Sequence, residues 1–289
     1  MSLPDFTEKI PIDKGWSGDR KYRVTAKDGT PYLLRVSPSA SYEKKKEEFR
    51  VMEAVFALGV PMCAPVAIET EGEEVLTLHT WIEGRDAADC IAEYSEKQQY
   101  DYGYRAGELL ARIHTLPAPE GREPWESYYN RKIDRKLRQY LDCPLCYEGG
   151  EALVDFVTAH RHLLAGRPTT LQHGDYHVGN MRIGEDGRLY IIDFDRFDYG
   201  DPWEEFNRIV WCVKESPRFA TGMVNGYFRD AVPREFFPLL ALYIATNTLS
   251  SLPWAIPFGE GEVATMRAQA SEVLAFYRGM TTAIPSWYN

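Results

Sequence analysis

Cysteine is scarce in this sequence, and its few copies are scattered. The 289 residues include five cysteines: Cys63, Cys90, Cys143, Cys146 and Cys212. A small secreted domain held by disulfides has more of them, closely spaced and usually even in number. A disulfide scaffold is therefore excluded, and a reducing, cytoplasmic location is expected. Cys143 and Cys146 have the spacing of a redox or zinc pair, but no second pair accompanies them, so we assign them no function.

Long apolar runs are also missing. The most apolar stretch, Phe236 to Ala245, has ten residues and is interrupted by Pro238. A helix that spans a bilayer needs ~20. The first residues, Met1 to Lys9, carry charges and no apolar run, unlike a signal peptide. We therefore expect no membrane partner.

Positive charge is in deficit. Lys and Arg number 33 against 43 Asp and Glu, so the formal net charge is −10. Because nucleic acids and anionic membranes bind basic surfaces, neither is expected as a partner. The deficit is uneven: residues 1–85 carry −2, residues 86–289 carry −8, and the segment 193–205 alone carries −5. Such a segment would attract a small cationic partner.

What the sequence does contain is a strand-rich beginning followed by a helical remainder. Before Gly84 the pattern predicts strands and one helix: strands at Arg20–Ala26, Pro31–Val36 and Val75–Ile82, and a helix at Glu43–Leu58. After Gly84, apolar residues recur at helical spacing in several segments, and Pro233–Ser251 is apolar on all sides, as in a buried helix. One strand pair, Met181–Ile183 and Leu189–Asp193, is predicted to interrupt this helical region.

This organisation predicts an α+β fold with two lobes. We place a small antiparallel-sheet N-lobe at residues 1–84 and a larger helical C-lobe at residues 85–289. At roughly 150 residues per domain, the length fits two lobes of one unit.

The densest polar cluster runs from His173 to Asn180, with the sequence His-Gly-Asp-Tyr-His-Val-Gly-Asn. A predicted hairpin follows it, and the second strand of that hairpin ends at Asp193. Phosphoryl transfer from a nucleotide needs one carboxylate that accepts the proton of the attacking hydroxyl. It also needs a second carboxylate and an amide oxygen that hold Mg²⁺. The hairpin can bring Asp175, Asn180 and Asp193 together around one metal-bound triphosphate.

This stretch resembles the catalytic and metal-binding loops of aminoglycoside phosphotransferase-like kinases, which are relatives of the protein kinases. Their pattern is H-G-D-x-x-x-x-N, followed by I-D-[FW]. The resemblance implies a bilobal, protein-kinase-like fold that uses ATP or GTP with Mg²⁺. It also implies Asp175 as the catalytic base, Asn180 and Asp193 as Mg²⁺ ligands, and His173 as a brace that holds the loop by hydrogen bonding.

The resemblance covers nearly the whole chain and implies a nucleotide site near its beginning. Ser17 and Gly18 fall in the loop that covers the nucleotide. Arg35 stands on the third strand, where a Lys usually grips the α- and β-phosphates. Its helix partner would be Glu48, with Glu47 as the neighbouring alternative.

The hinge between the lobes would lie at Thr80 to Ile82, whose backbone would pair with the nucleotide base. The side chains of this segment do not distinguish adenine from guanine.

The resemblance also implies an acceptor site in the C-lobe. Gly200-Asp201-Pro202 matches a family motif, and we interpret Asp201 mainly as a structural anchor. The candidate acceptor contacts are all carboxylates: Asp195, Asp198, Glu204, Glu205, Glu260 and Glu262. Asp195 stands where kinases often have Gly and could instead belong to the metal shell or cap a turn. Glu205 stands where an Asp is usual.

The sequence therefore predicts a small-molecule O-kinase, with an aminoglycoside antibiotic as the leading acceptor. Another acceptor, such as an amino alcohol, a sugar or a macrolide, is the alternative within this class. A catalytically silent nucleotide-binding protein of kinase fold is the alternative outside it. A protein kinase is less favoured, because Gly200 stands only seven positions after Asp193, which is too short for a separate activation segment. We expect a monomer or a weak homodimer.

Overall fold

The computed structural model describes residues 3–13 and 18–289. The strands in this part of the chain are β1 (Phe6–Ile12), β2 (Arg20–Ala26), β3 (Pro31–Pro38), β4 (Pro65–Glu71), β5 (Glu74–Thr80), β6 (Gly84–Asp86), β7 (Thr170–Gln172), β8 (Met181–Gly184), β9 (Leu189–Ile191) and β10 (Asp198–Gly200). The helices are α1 (Tyr42–Ala57), α2 (Ala87–Cys90), α3 (Glu96–Ile113), α4 (Trp125–Leu141), α5 (Gly150–His160), α6 (Ile209–Glu215), α7 (Pro217–Phe228), α8 (Phe236–Ala255) and α9 (Glu260–Phe276).

The chain forms two compact units. The first contains residues 1–89 and 180–197, and the second contains residues 90–179 and 198–289. The first unit is mainly antiparallel sheet, and the second is mainly helix. The predicted α+β class, with a sheet at the N-terminal side and a larger helical part after it, is confirmed.

The main sheet of the first unit has the strand order β1-β2-β3-β5-β4 and is antiparallel throughout. Alternation along β3 decides where its side chains lie. Leu34 and Val36 enter an apolar cluster that also includes Val24 and Leu78. Arg35 therefore lies on the opposite face of the strand, where α1 packs against the neighbouring strands.

The segment 180–197 joins the first unit through strand pairing. β8 pairs with β6 and β9, and the Ile191 N–H donates to the Pro61 carbonyl at 2.9 Å. The order of the sequence places this hairpin in the predicted C-lobe, because it follows helical segments along the chain. Its pairing partners in β6 lie 96 to 100 residues earlier (Gly84↔Gly184 to Asp86↔Arg182), and no local pattern predicts a pairing over that distance.

The second unit is built on helices that approach closely. α3 and α7 pack with two glycines on each side of the contact, and a Cβ on Gly103 would clash with the Phe219 carbonyl oxygen. A strand pair, β7 with β10, also lies in this unit. The expectation that a single strand pair interrupts the helical region is therefore wrong, because strands of three residues are too short to show an alternating pattern.

α8 is longer than the apolar run from Phe236 to Ala245. Together with the turn that follows it, residues 236–258 are long and apolar enough to cross a membrane by length and composition. However, 67% of the apolar window is buried inside the protein. This burial is typical of the core helix of a soluble protein, as expected for the predicted Pro233–Ser251 helix.

Candidate active site

The residues predicted to carry the chemistry divide between the two units. His173 and Asp175 belong to the second unit, whereas Arg35, Asn180 and Asp193 belong to the first.

The loop that carries Asp175 is held by its own backbone. The Gly174 N–H donates to Glu205 Oε1 at 2.9 Å, the Asp175 N–H to His173 Nδ1 at 3.3 Å, and the Val178 N–H to Cys212 Sγ at 3.3 Å. Gly174 has φ +87°, a left-handed conformation that glycine adopts without strain. His173 is fully buried and acts as an acceptor here, which leaves its Nε2 as the protonated nitrogen.

The side chain of Asp175 is anchored by basic neighbours. Its Oδ1 lies 3.3 Å from Arg208 Nε and 3.6 Å from His177 Nε2. The side chain remains 17% exposed. The next residue, Tyr176, is fully buried and donates to the Ala106 carbonyl of α3 at 2.7 Å. The loop therefore presents one partly exposed carboxylate on a rigid support.

In the first unit, the β8–β9 hairpin brings Asn180 and Asp193 to its open end. Met181 pairs with Ile191, and the Ile192 N–H donates to the Asn180 carbonyl at 3.0 Å. Asp193 has φ +68°, which is uncommon for a residue other than glycine. Backbone strain of this kind costs about 1–3 kcal/mol and concentrates at functional sites.

These residues fit the chemistry of a magnesium site. Mg²⁺ prefers oxygen ligands, uses one or two carboxylates from the protein and keeps waters and substrate phosphates as its other ligands. Asp193 and Asn180 would supply a carboxylate and an amide oxygen. Within residues 3–13 and 18–289, no three His, Cys, Asp or Glu side chains form a metal cage. A site of this composition would therefore depend on the phosphates of a bound nucleotide.

Arg35 is the centre of a buried charge cluster in the first unit. It is 6% exposed, and each of its three guanidinium nitrogens faces a carboxylate. Nε lies 3.1 Å from Asp19 Oδ2, Nη1 lies 3.1 Å from Asp193 Oδ1, and Nη2 lies 3.5 Å from Asp195 Oδ2. Burial alone would lower the pKa of Arg35, but the surrounding carboxylates outweigh burial and raise it.

Lys45 links this cluster to α1. Its Nζ lies 2.7 Å from Asp19 Oδ2 and 3.0 Å from Glu48 Oε2. Burial would raise the pKa of Asp19, but hydrogen bonds from Lys45 and Ser37, together with the charge of Arg35, lower it. Of the two alternatives for the helix partner of Arg35, Glu48 lies nearer, at 3.9 Å, whereas the exposed Glu47 pairs with Arg50.

The remaining nucleotide-site predictions have different outcomes. Ser17 lies outside the described residues. Gly18 is exposed, and a Cβ built there would meet no atom within 4 Å. The Thr80 N–H donates to the Ala64 carbonyl at 2.9 Å, and Ile82 is buried. The assignment of Thr80 to Ile82 as the segment that pairs with the base stays a prediction.

The acidic segment 193–205 is largely neutralised by its neighbours. Asp201 is fully buried and receives Arg167 Nε at 2.7 Å and the Tyr243 hydroxyl at 2.5 Å, which fits a structural anchor. Asp198 lies 3.5 Å from Arg122 Nη2. The segment therefore offers less free negative charge to an acceptor than the sequence suggested.

Glu204 and Glu205 are both occupied inside the second unit. Glu204 lies 3.2 Å from Lys132 Nζ and accepts from Gln172 Nε2 at 3.2 Å. Burial would raise the pKa of Glu204, but Lys132 and Lys136 lower it. Glu205 is 2% exposed and holds the Asp175 loop. Their role as acceptor contacts stays a prediction.

Glu260 and Glu262 lie in the first turn of α9, where the helix dipole favours carboxylates. Glu260 is exposed, and Glu262 is partly exposed. Just before them, the rings of Trp254 and Phe258 lie 4.8 Å apart, and both side chains are about half exposed. This is an exposed aromatic pair followed directly by carboxylates.

Sequence reasoning missed Asp19, Lys45 and Arg208. Lys45 lies in a run of charged residues, Glu43 to Glu48, that is typical of a solvated helix face. Its helical spacing of three residues from Glu48 was the one local signal that could have indicated an ion pair. Arg208 contacts Asp175 across 33 residues of sequence, and no motif marks it.

The chain matches the model of the phosphotransferase enzyme family over residues 9–237. Because this match covers well over half of its length, the chain belongs to that family. The resemblance to aminoglycoside phosphotransferase-like kinases is thereby confirmed at the level of the family.

Among curated proteins, a segment of the chain is similar to a glucosamine kinase of Streptacidiphilus jiangxiensis. The two are 34% identical over an alignment of 98 residues, which covers 31% of this chain and 22% of that kinase. The chain thus matches less than a quarter of the length of that relative.

Among solved structures, the fold is similar to a thermostable mutant of aminoglycoside phosphotransferase APH(4)-Ia in a ternary complex with ADP and hygromycin B. The TM-score is 0.66 at 15% identity, and 96% of this chain and 95% of the other are covered. The fold is also similar to amicoumacin kinase hAmiN in complex with AMP-PNP, Ca²⁺ and Ami. The TM-score is 0.65 at 16% identity, and 98% of this chain and 92% of the other are covered. A choline/ethanolamine kinase family protein of Mesorhizobium loti has a TM-score of 0.65 at 17% identity, and 96% of this chain and 93% of the other are covered. At these identities the similarity shows the kinase-like fold.

Proposed function

We propose that this protein transfers the γ-phosphoryl group of ATP or GTP to a hydroxyl group of a small molecule that also carries amino groups, with an aminoglycoside as the leading acceptor. The observation that carries the proposal is the Asp175 loop. A rigid backbone presents one partly exposed carboxylate, and the charged cluster that includes Asp193 supplies the second carboxylate that phosphoryl transfer requires.

Asp175 would accept the proton of the attacking hydroxyl or orient that hydroxyl. Phosphoryl transfer asks the protein mainly for positioning and for charge stabilisation. The contacts of Oδ1 with Arg208 and His177 fix the orientation of the carboxylate. Fixed orientation is what a general base needs in order to meet the hydroxyl at hydrogen-bond distance.

Asp193 and Asn180 would hold Mg²⁺ in this function. The ion supplies positive charge that neutralises the phosphates during transfer. Arg35 lies 3.1 Å from Asp193. It would keep that carboxylate in place and add positive charge on the nucleotide side.

The preference for an amine-bearing acceptor is supported by the chemistry of similar proteins. Glucosamine, hygromycin B, choline and ethanolamine, named for those proteins, are all hydroxyl compounds that also carry nitrogen. In this chain, Glu260 and Glu262 would contact ammonium groups, and the exposed rings of Trp254 and Phe258 would pack on the apolar faces of a sugar.

A kinase of a smaller metabolite, either an amino alcohol or an amino sugar, is the second candidate. The neutralised acidic segment favours it, because ion pairs on Asp198, Asp201 and Glu204 reduce the negative charge available to a polycation. A macrolide acceptor, or a silent nucleotide-binding role, has no specific observation in its favour.

The test is a steady-state panel with γ-labelled ATP and GTP. Kanamycin, gentamicin and hygromycin B would be compared with glucosamine, choline, ethanolamine and a macrolide, each against the background of nucleotide hydrolysis. We expect label transfer to at least one aminoglycoside. Transfer to glucosamine or an amino alcohol alone would replace the aminoglycoside with the metabolite. Nucleotide binding without transfer to any compound would contradict the proposed activity.

A further inference from the structure

The helix α4 carries basic side chains on two of its faces. Lys132 and Lys136 stand four residues apart, so they share one face of the helix. That face also carries the buried Tyr129, Ile133 and Tyr140, and both lysines are only partly exposed. The other basic side chains of the helix are exposed to solvent: Arg131, Arg135 and Arg138. The two lysines therefore lie on the side of α4 that packs against the second unit.

These two lysines differ in their partners. Lys132 Nζ lies 3.2 Å from Glu204 Oε1, and Gln172 Nε2 donates to the other oxygen of Glu204 at 3.2 Å. Both oxygens of Glu204 are thus occupied. In the ranges 3–13 and 18–289, by contrast, Lys136 has no carboxylate at ion-pair distance and donates no hydrogen bond.

The surroundings of Lys136 disfavour its positive charge. Burial lowers the pKa of Lys136, and neighbouring cations lower it further, from 10.5 to about 7. The cations that act on it are Lys132, Arg208 and Arg135, and the carboxylate of Glu204 opposes them. A protonated Lys136 would therefore be stabilised by a further negative charge beside it.

Lys132, Lys136 and Arg208 form a basic group beside the candidate catalytic base. Arg208 Nε lies 3.3 Å from Asp175 Oδ1. The two carboxylates that contact this group are Asp175 and Glu204, so three positive charges are matched by two negative ones. All of these residues belong to the second unit, whereas the residues predicted to bind the nucleotide belong to the first. The excess positive charge therefore lies on the side of Asp175.

We propose that the basic group binds an anionic group of the acceptor, either a carboxylate or a phosphate, with Lys136 as the central contact. Lysine ammonium groups bind both kinds of anion, and a bound anion would supply Lys136 with a counterion. This inference rests on the proposed function, since it assigns the anion to the compound whose hydroxyl meets Asp175. It narrows the acceptor to an amine-bearing hydroxyl compound that is also acidic, such as a hydroxy amino acid or a phosphorylated amino sugar.

The first experiment measures anion binding without turnover. The full chain is treated with a limiting amount of an amine-acetylating reagent at about pH 7, close to the pKa of Lys136. Mass spectrometry gives the modification rate of Lys136 relative to Lys214, an exposed lysine of α6 in the same unit. Serine is compared with ethanolamine, which lacks only the carboxylate, and glucosamine 6-phosphate is compared with glucosamine.

We expect at least one of the two acidic compounds to slow the modification of Lys136 about threefold more than its counterpart without the anion. The reason is that a bound anion keeps the ammonium protonated and covers it. The modification rate of Lys214 should not change. Protection by serine alone would identify a carboxylate as the anion, and protection by glucosamine 6-phosphate alone would identify a phosphate.

The second experiment measures affinity and KM in variants. Lys136→Met removes the charge, Lys136→Arg keeps it, and Lys214→Met is the matched control. Affinity for each compound is measured by calorimetry, and KM is measured wherever label is transferred. We expect Lys136→Met to weaken binding of the acidic compound about tenfold and Lys136→Arg to restore most of it. The KM for ATP, and the affinity for the counterpart without the anion, should change less than about twofold in every variant.

Two outcomes overturn the inference. If serine and glucosamine 6-phosphate protect Lys136 no better than ethanolamine and glucosamine do, the basic group does not bind an anion of the acceptor. If Lys136→Met raises the KM for ATP and leaves the affinity for the acidic compounds unchanged, the basic group serves the nucleotide instead.

The results also separate this inference from the function on which it rests. Label transfer to ethanolamine, glucosamine or an aminoglycoside, without protection of Lys136 by an acidic compound, overturns the inference alone. Protection of Lys136 without label transfer to any compound shows an anion site but contradicts the proposed function, and the assignment of the anion to an acceptor fails with it.

Discussion

The two units hold their candidate catalytic carboxylates in opposite ways. In the first, Asp193 is held by charge, because it is one of the carboxylates gathered around Arg35. In the second, the carboxylate of Asp175 contacts Arg208 and His177, but the loop that carries it is held by geometry, because its backbone N–H groups donate to His173, Glu205 and Cys212. Substitutions that add or remove one charge should therefore disturb the position of Asp193. The position of Asp175 should instead change when the hydrogen bonds that shape its loop are lost.

The largest expected effect is chemical and lies in the second unit. Asp175→Asn keeps the shape of the side chain but removes its capacity as a base, so kcat should fall by about 10²–10⁴. ADP affinity and the unfolding midpoint should remain close to those of the wild type. The measurement is steady-state transfer to the best acceptor, with calorimetric ADP binding beside it.

The matched control for Asp175→Asn is Asp155→Asn, an exposed position in α5 of the same unit. It should leave kcat unchanged. An Asp175→Asn variant with kcat within threefold of the wild type would remove Asp175 from the chemistry.

The next effect separates support from chemistry inside the second unit. Asp201→Asn breaks the buried pair with Arg167 and should lower the free energy of unfolding by about 3–5 kcal/mol. Denaturant titration measures this loss. Asp134→Asn is the control, because Asp134 also pairs with an Arg but is 53% exposed, and there we expect a loss below about 1 kcal/mol. If Asp201→Asn instead abolished turnover at full stability, Asp201 would be a site residue rather than an anchor.

A third prediction concerns pH and the first unit. His79 is buried in β5, and neither ring nitrogen has a hydrogen-bond partner in the described part of the chain. Burial, helped by the charges of Arg35 and Lys45, lowers the pKa of His79 from 6.5 to about 3. The folded state thus keeps this histidine neutral, whereas the unfolded chain takes up a proton below pH 6.5.

The sign of this linkage follows from proton uptake. The unfolded state binds more protons than the folded state between pH 6.5 and about 3. The free energy of unfolding therefore decreases as the pH is lowered through that window. From pH 7 to pH 5 this one group should cost about 2 kcal/mol. His79→Phe should remove that part of the acid sensitivity, as measured by urea unfolding at both pH values. Equal losses in wild type and variant would contradict the lowered pKa.

Much of the fold could be predicted from local patterns. The strand predicted at Arg20–Ala26 is confirmed without change, and the helix predicted at Glu43–Leu58 is confirmed as Tyr42–Ala57. Both are long enough to show their period. Strands that lack a local pattern were missed. The strands β7 and β10, which pair with each other, have only three residues each, and β1 contains Pro11 and has mostly exposed side chains.

The candidate site shows the same division. Asp175, Asn180 and Asp193 stand in one motif, so their chemistry was visible in the sequence. Their neighbours come from distant parts of the chain: Arg35 is 158 residues from Asp193, and Glu205 is 31 residues from Gly174. The charge count of the acidic segment also describes only part of the electrostatics there. The −5 of segment 193–205 counts side chains but not their partners, and Arg35, Arg122, Arg167 and Lys132 neutralise much of it.

The smallest expected effect makes the comparison sharper inside a single helix. Glu47 and Glu48 are adjacent in α1, yet Glu48 is 3% exposed and bonded to Lys45, whereas Glu47 forms an exposed pair with Arg50. Glu47→Gln should change stability by less than about 0.5 kcal/mol and leave ADP affinity unchanged, because exposed helix pairs contribute little.

Glu48→Gln should weaken ADP binding several-fold, since it leaves Lys45 to pull Asp19 away from Arg35. Both variants are measured by ADP calorimetry and thermal melting. Equal effects of the two would mean that charge in the first unit acts as a diffuse field, and the contrast with the braced loop of Asp175 would then rest on geometry alone.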